Sequence, residues 1–143
     1  MKKVFIVIVN YKGHKDTLEL LKSLKKIKKE KFELGVIIVD NYPPDKIMLN
    51  ESDYKDIKLK VIYNEKNLGF AGGNNVGIKY ALENDADYIG ILNNDTLVDE
   101  NFIEELINVL EKDGNIGVAV PKIYFAKGFE FHKNKYKENE LGR

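Results

Sequence analysis

The chain has no cysteine, which excludes disulfides and thiolate metal sites and agrees with a reducing compartment. It has no excess of either charge: Lys plus Arg and Asp plus Glu are both 23, a formal net charge of zero. No global field therefore draws it to nucleic acid or to an anionic surface. No apolar run approaches the roughly 20 residues needed to span a bilayer, and the opening Met1-Lys-Lys-Val4 leads straight into a strand-like run too short for a signal sequence. A cytoplasmic location is expected, with peripheral attachment at the inner face of a membrane as the variant. Histidine is scarce: His14 and His132 stand alone, outside any metal-ligand spacing, and neither Ser23 nor Ser52 has a histidine partner for nucleophilic catalysis.

What the chain does have is a pattern. Val4-Phe-Ile-Val-Ile-Val9 and Gly35-Val-Ile-Ile-Val-Asp40 are continuous apolar runs, the mark of strands buried on both faces. Between them Leu20, Leu21, Leu24 and Ile27 recur at helical spacing behind a cap at Asp16 or Thr17, and the lysines of 22–31 read as a solvated helix face. Further on, 59–63 reads as a third strand, 74–84 as a second helix and 88–92 as a fourth strand. A helix capped by Asp99 follows, then a fifth strand over 116–120 ended by Pro121, with Ile123 to Phe125 as a candidate short strand. The segment 42–56 reads as a loop with one helical turn. The alternation predicts an α/β fold, a mostly parallel sheet with helices on both faces and right-handed crossovers. Residues 1–125 form the domain in this reading and 126–143 a poorly ordered or partner-dependent tail.

Ligands of such sheets bind outside the carboxyl ends of the strands. Asn10, Asp40, Asn64 and the run Asn93-Asn94-Asp95 each follow an apolar run, so they are predicted to converge on one edge. Asn67-Leu-Gly69-Phe70-Ala-Gly72-Gly73-Asn74-Asn75 is too polar and too rich in glycine to form core, and reads as a loop feeding a helix near Asn74. Its backbone N–H groups and the positive helix end favour phosphate, while Phe70 is expected to pack beneath it. The run lacks the Gly-Lys-Ser/Thr of a nucleotide P-loop and the spacing of a dinucleotide fingerprint.

Asn67 to Gly77, Val9-Asn10-Tyr11, Val39-Asp40-Asn41 and Leu92-Asn-Asn-Asp95-Thr96, in that collinear setting from about residue 3 to about 123, resemble the family 2 glycosyltransferases of the GT-A fold, in particular a rhamnosyltransferase-like branch. The resemblance implies a Rossmann-like three-layer fold, truncated at its C-terminus relative to complete members, with residues 1–125 as a nucleotide-sugar-binding domain. It implies a donor site at Asn10, Tyr11, Asp40, Asn64, Asn67, Gly69, Gly72, Gly73, Asn74, Asn75 and Asn94. It also implies Asp95 as ligand to Mg²⁺ or Mn²⁺, although Asn93 stands where an Asp-x-Asp motif has its first acid.

The donor would be a UDP-, dTDP- or GDP-linked sugar and the acceptor a glycan or lipid-linked glycan. The acceptor-activating base would come from outside these residues, so the catalytic residue is unassigned. Two local readings stay open: Asp40-Asn41 also fits a turn before Pro43-Pro44, and Asn94-Asp95-Thr96 a turn or helix cap. The competing function is a donor-binding module or inactive remnant that needs a completing partner chain. A nucleotidyltransferase fits less well, because Asn10-Tyr-Lys-Gly13 is not the Gly-rich, basic loop that chemistry needs after the first strand. Ile123, Tyr124, Phe125, Phe129 and Phe131 would form an apolar patch suited to self-association.

Overall fold

The computed structural model describes residues 1–125. The described residues fall into two units, Met1–Asn101 and the stretch from Phe102 onward. In the first unit four strands, β1 (Lys2–Asn10), β2 (Phe32–Asp40), β3 (Leu59–Tyr63) and β4 (Tyr88–Ile91), pair in the order β3-β2-β1-β4. Every pairing is parallel. The helices of this unit are α1 (His14–Leu24) and α2 (Gly69–Glu83), with a 3₁₀ segment at Glu51–Ile57.

The chain steps from β1 to β2 in one direction and from β3 back across to β4 in the other. Right-handed crossovers then put α1 and α2 on opposite faces. Val7, Ile37, Val39 and Ala81 form a core cluster beneath α2. On the other side of the pleat, Ile6, Ile8, Val36 and Ile38 are buried, as are Leu20, Leu21 and Leu24 on the inner stripe of α1. Each such leucine contributes about 1.5–3 kcal/mol of burial free energy. β1 and β2 thus read as unbroken apolar runs because both their faces are covered.

Helix limits differ from the sequence reading in two places. The α1 helix begins at His14 after Gly13, whose carbonyl accepts the Thr17 N–H at 3.0 Å. Asp16 and Thr17 therefore lie inside its first turn and cap nothing, and Ile27 lies just past its end, buried, with its N–H on the Leu24 carbonyl at 3.2 Å. The α2 helix begins at Gly69 and not near Asn74. It ends where Asp85 turns left-handed (φ 59°) and the Ala86 N–H returns to the Ala81 carbonyl at 3.1 Å.

In the second unit, α3 (Phe102–Lys112) matches the expected third helix. The Asp99 carboxylate that precedes it accepts the Asn101 N–H at 2.8 Å. The expected fifth strand over 116–120 and the short one at 123–125 do not form among the described residues. Val118 and Val120 are exposed, and Asp113 turns the chain by accepting the Asn115 N–H at 2.9 Å. β propensity alone does not make a strand where no neighbour takes its backbone groups. Ile123, Tyr124 and Phe125 are exposed as the apolar-patch reading requires, while Phe129, Phe131 and the tail 126–143 lie outside the described residues.

Carboxylates fasten the sheet at two points. Asp87 accepts the Lys3 N–H at 2.7 Å and pairs with Lys2 at 3.6 Å, tying the start of β4 to the start of β1. Glu51 accepts the Val61 N–H at 2.9 Å, occupying the open edge of β3. These backbone N–H groups hold both carboxyls below their ordinary range, with Lys2 and Lys60 adding to the effect.

A depressed pKa contributes stability that is complete above the unfolded values, 4.5 for Glu51 and 3.8 for Asp87, and is lost as pH falls through the lower folded values. The double variant Glu51→Gln, Asp87→Asn keeps an oxygen for each N–H but cannot titrate. Its urea midpoint should fall less than that of the parent between pH 7 and about pH 3. An equal fall in both proteins would place the acid sensitivity elsewhere.

Candidate functional site

The register aligns Asn10 with Asp40 and Asp40 with Tyr63, so three parallel strands end level with one another. β4 ends one strand over and runs into Leu92-Asn93-Asn94-Asp95. Above these ends lies a cleft of about 300 Å³ with Val9 and Leu92 as apolar lining and Tyr11, Asn41, Asn67, Gly69, Asn93 and Asn94 as its polar and backbone surface. Phe70 completes the lining and is 61% exposed. It does not pack beneath the segment as its sequence suggests, because residues 69–83 wind into a helix whose buried face is taken by Gly73, Asn74, Gly77 and Ala81.

Beneath the cleft is a buried polar layer. Asn10 and Asp40 are 0% and 1% exposed. The Asn10 amide donates to Asp40 Oδ1 at 3.1 Å, which also receives the Tyr42 N–H at 3.3 Å, while Asp40 Oδ2 receives the Ile47 N–H at 2.8 Å. Asp40 thus folds the 42–47 loop back over the end of β2, a structural duty close to the turn reading. Its charge also reaches Tyr63, whose phenol is pushed up first by burial and then by Asp40. That phenol donates to the Ile47 carbonyl at 2.9 Å, closing the same loop from β3.

Asn41, which sequence reasoning did not nominate by itself, is central. It accepts from the Asn64 amide at 2.6 Å and donates to the Gly69 carbonyl at 2.9 Å. The ends of β2 and β3 are thereby tied to the start of α2. Its one signal in the sequence is its place directly after a buried strand and acid. Tyr11 stands at the rim, half exposed, edge-on to Tyr42 with ring centroids 5.3 Å apart. Lys12 Nζ lies over both rings, 5.4 Å from Tyr11 and 4.8 Å from Tyr42.

The glycine-rich segment divides. Asn67 accepts the Gly69 N–H at 2.8 Å, and Gly69, at φ 71°, opens the helix. Leu68, the N-cap residue of α2, adds no side-chain cap, and the first turn of the helix holds no acid. By helix geometry the N–H groups after Gly69 have no intrahelical acceptor, so the positive end of the helix meets the cleft at Phe70. Gly72, Gly73, Asn74 and Asn75, predicted to lie in a ligand-contacting loop, are instead inside the helix and outside the cleft lining.

Their spacing serves packing. A Cβ on Gly73 would lie 2.8 Å from Asn41 Nδ2 and 3.0 Å from Val9, and one on Gly77 would lie 2.3 Å from Val7 Cγ1. Asn74 is buried with its amide nitrogen on the Phe70 carbonyl at 3.0 Å and its Oδ1 without a hydrogen bond. Asn75 is exposed.

On the far side, Asn94 donates to the Gly13 carbonyl and to Thr17 Oγ1, both at 3.2 Å. Asp95 is exposed and makes no hydrogen bond or ion pair within the described residues. Among those residues no group of three or more His, Cys, Asp or Glu side chains could hold a metal. A single free carboxylate beside two amide side chains suits a hard cation only where a ligand such as a diphosphate supplies the other oxygens.

The sequence matches the family described as Glycosyl transferase family 2 over residues 5–142. The chain belongs to that family. The low-salt glycan biosynthesis hexosyltransferase Agl10 of Haloferax volcanii is 27% identical over 139 residues, covering 96% of this chain and 42% of that protein. Among solved structures, S. aureus TarS 1–349 superposes with a TM-score of 0.67 at 24% identity, over 85% of this chain and 39% of TarS. The same stretch of TarS has been solved in complex with UDP-GlcNAc. The mannosyltransferase PcManGT of Pyrobaculum calidifontis, solved with GDP-Man and Mn²⁺, gives 0.62 at 16% identity, over 89% of this chain and 37% of that one. The GT-A fold expected from the sequence is therefore the fold observed. The chain spans about two fifths of the length of these relatives.

Helix propensity alone would make Gly77→Ala stabilising by about 1 kcal/mol. Packing against Val7 instead predicts a loss of about 1–3 kcal/mol in urea unfolding, partly restored by adding Val7→Ala. A stabilised Gly77→Ala protein would remove the packing account of the glycines.

Proposed function

We propose that this chain is the donor-binding part of a glycosyltransferase that takes a sugar from a nucleotide-diphospho-sugar, UDP-, dTDP- or GDP-linked, to a glycan or lipid-linked acceptor. The observation that carries the proposal is the meeting, at one sheet edge, of a helix N-terminus with no acid in its first turn, an amide-lined cleft and an exposed carboxylate at Asp95. A nucleoside diphosphate has a part for each. Tyr11, with Tyr42 behind it, offers an aromatic face to the base. Asn41 and Asn67 lie along the path of ribose and diphosphate, and the first turn of α2 faces the phosphate charge.

Asn10, Asp40 and Asn64 support this surface from below, and Gly73 and Asn74 let α2 sit close enough to present it. Asp95, with the Asn94 and Asn93 amides beside it, would hold Mg²⁺ or Mn²⁺ together with the diphosphate. When bound, such an ion stabilises charge on the departing diphosphate. Agl10 is named a hexosyltransferase, TarS is known with UDP-GlcNAc and PcManGT with GDP-Man and Mn²⁺, which supports a hexose donor and a divalent ion here.

A second reading, a donor-binding module that transfers nothing until completed by further residues or a partner chain, rests on one observation. No Asp, Glu or His is among the described residues lining the cleft. Inverting transfer needs a base to take the acceptor proton, and these residues do not supply one. No helix among the described residues is long and apolar enough to cross a membrane.

Calorimetric titration of UDP, dTDP and GDP, each with and without Mn²⁺, tests the proposal. One nucleotide should bind, more tightly with Mn²⁺, and Asp95→Ala should remove most of the manganese effect, about tenfold or more in Kd. Because Asp95 is exposed and unpaired, its loss should change stability by no more than about 0.5 kcal/mol. Binding of none of the three would defeat the donor-site reading. Release of nucleoside diphosphate from a donor sugar with acceptor present would reject the incomplete module.

A further inference from the structure

Thr17 is fully buried, sits inside α1, and lines no part of the cleft. Its hydroxyl nevertheless joins the two ends of the site. Thr17 Oγ1 donates to Asn10 Oδ1 at 2.8 Å and accepts from Asn94 Nδ2 at 3.2 Å. Asn10 directs its own amide N–H to Asp40 Oδ1 at 3.1 Å. Four side chains from α1, β1, β2 and the turn after β4 thus form one chain of donors, Asn94 to Thr17 to Asn10 to Asp40.

The direction of that chain is fixed by chemistry. An ionised carboxylate only accepts, so Asn10 must turn its NH₂ toward Asp40 and its oxygen toward Thr17. The single hydroxyl proton of Thr17 is then committed to Asn10, and the hydroxyl can only accept from Asn94. The Asn94 nitrogen is held a second time by the Gly13 carbonyl at 3.2 Å. Its carbonyl oxygen is left without a hydrogen bond among the described residues, next in sequence to Asp95. Two acceptors thus demand the NH₂ of the Asn94 amide at the Asp95 turn, the Gly13 carbonyl directly and the Thr17 hydroxyl as the end of a chain that starts at the buried acid beneath the Tyr11 and Tyr42 end of the cleft.

We propose that Thr17 is a positioning residue that couples the two ends of the donor site, keeping the Asn94 oxygen, and not its NH₂, available where a divalent cation and diphosphate would meet Asp95. The coupling rests on the donor-site reading above. Gly13 belongs to the same device: a Cβ there would lie 2.3 Å from Asn94 Nδ2. Gly13 has φ −101°, which alanine tolerates. Gly13→Ala therefore disturbs Asn94 from the opposite side without removing any hydroxyl.

The test measures, for whichever of UDP, dTDP and GDP binds, the ratio of Kd without Mn²⁺ to Kd with Mn²⁺, in the unsubstituted chain and in Thr17→Val, Thr17→Ser and Gly13→Ala, with thermal unfolding of each. Thr17→Val keeps the shape and loses the hydroxyl, so the ratio should fall about tenfold. Thr17→Ser should retain it and Gly13→Ala should lose it. A merely structural threonine would lower the melting temperature and leave the ratio of the folded protein unchanged. Should Thr17→Val fail to fold, Thr17→Ala, which also lacks the hydroxyl, carries the same comparison. A manganese effect that survives in the folded variants overturns the coupling alone. Absence of nucleotide binding, or of any manganese effect, in the unsubstituted chain overturns the donor-site reading and the coupling with it.

Discussion

A carboxylate out of water costs several kcal/mol unless its lone pairs are met, and in this fold Asp40 meets them with the Asn10 amide and the backbone N–H groups of Tyr42 and Ile47. The consequences extend well beyond β2. Because the acceptor cannot reverse, the Asn10 amide has one orientation and with it the Thr17 hydroxyl. Because two of the donors are backbone, the 42–47 loop must return over the strand end, where Tyr63 holds it from the other side. A buried charge placed at the carboxyl edge of a parallel sheet thus organises the edge where ligands of this architecture bind. Its neighbour Asn41 does the equivalent work toward α2 through Asn64 and Gly69.

The second constraint is distance. α2 can deliver its N-terminus to the cleft only by lying close on β1 and β2, and Gly73 and Gly77, one turn apart, remove the atoms that would hold it off Val9 and Val7. Each glycine in a helix interior costs about 1 kcal/mol relative to alanine. The core contact with Val7, Ile37, Val39 and Ala81 offsets that cost. The glycines therefore act on the ligand surface indirectly, by setting where the first turn of the helix stands.

Legibility in the sequence follows from the same two constraints. The runs 4–9 and 35–40 announce buried parallel strands, since only burial on both faces permits such unbroken apolar stretches, and the convergence of Asn10, Asp40, Asn64 and Asn94 follows from where those runs stop. The glycine-rich segment reads as a loop because helix propensity is local, whereas the reason for Gly73 and Gly77 is the sheet beneath them. Phe70 departs from expectation for the same reason, since winding 69–83 into a helix turns its ring outward. The 116–120 segment fails in the opposite sense: its composition suits a strand, but pairing decides, and no partner strand is present among the described residues. Thr17 carries no signal, because its role depends on a contact with Asn94 that is 77 residues away.

The chemistry of the cleft lining sharpens the division of labour. Asparagine supplies Asn41, Asn67, Asn93 and Asn94, and among the described residues no acid lines it. Amides orient a polar ligand without repelling a diphosphate, which a carboxylate-lined cleft would do at short range. Neutral amides, however, cannot balance two phosphate charges. In the donor-site reading proposed above, that task would fall to the positive end of α2 on one side and to a cation held with Asp95 on the other. Asp95 is exposed and outside the cleft lining, where solvent screens its charge. The one acid that lies deep, Asp40, is kept from the ligand surface by the same hydrogen bonds that organise it. On the proposed reading an acid would serve the acceptor hydroxyl, and a lining built from amides would leave that function to residues beyond it.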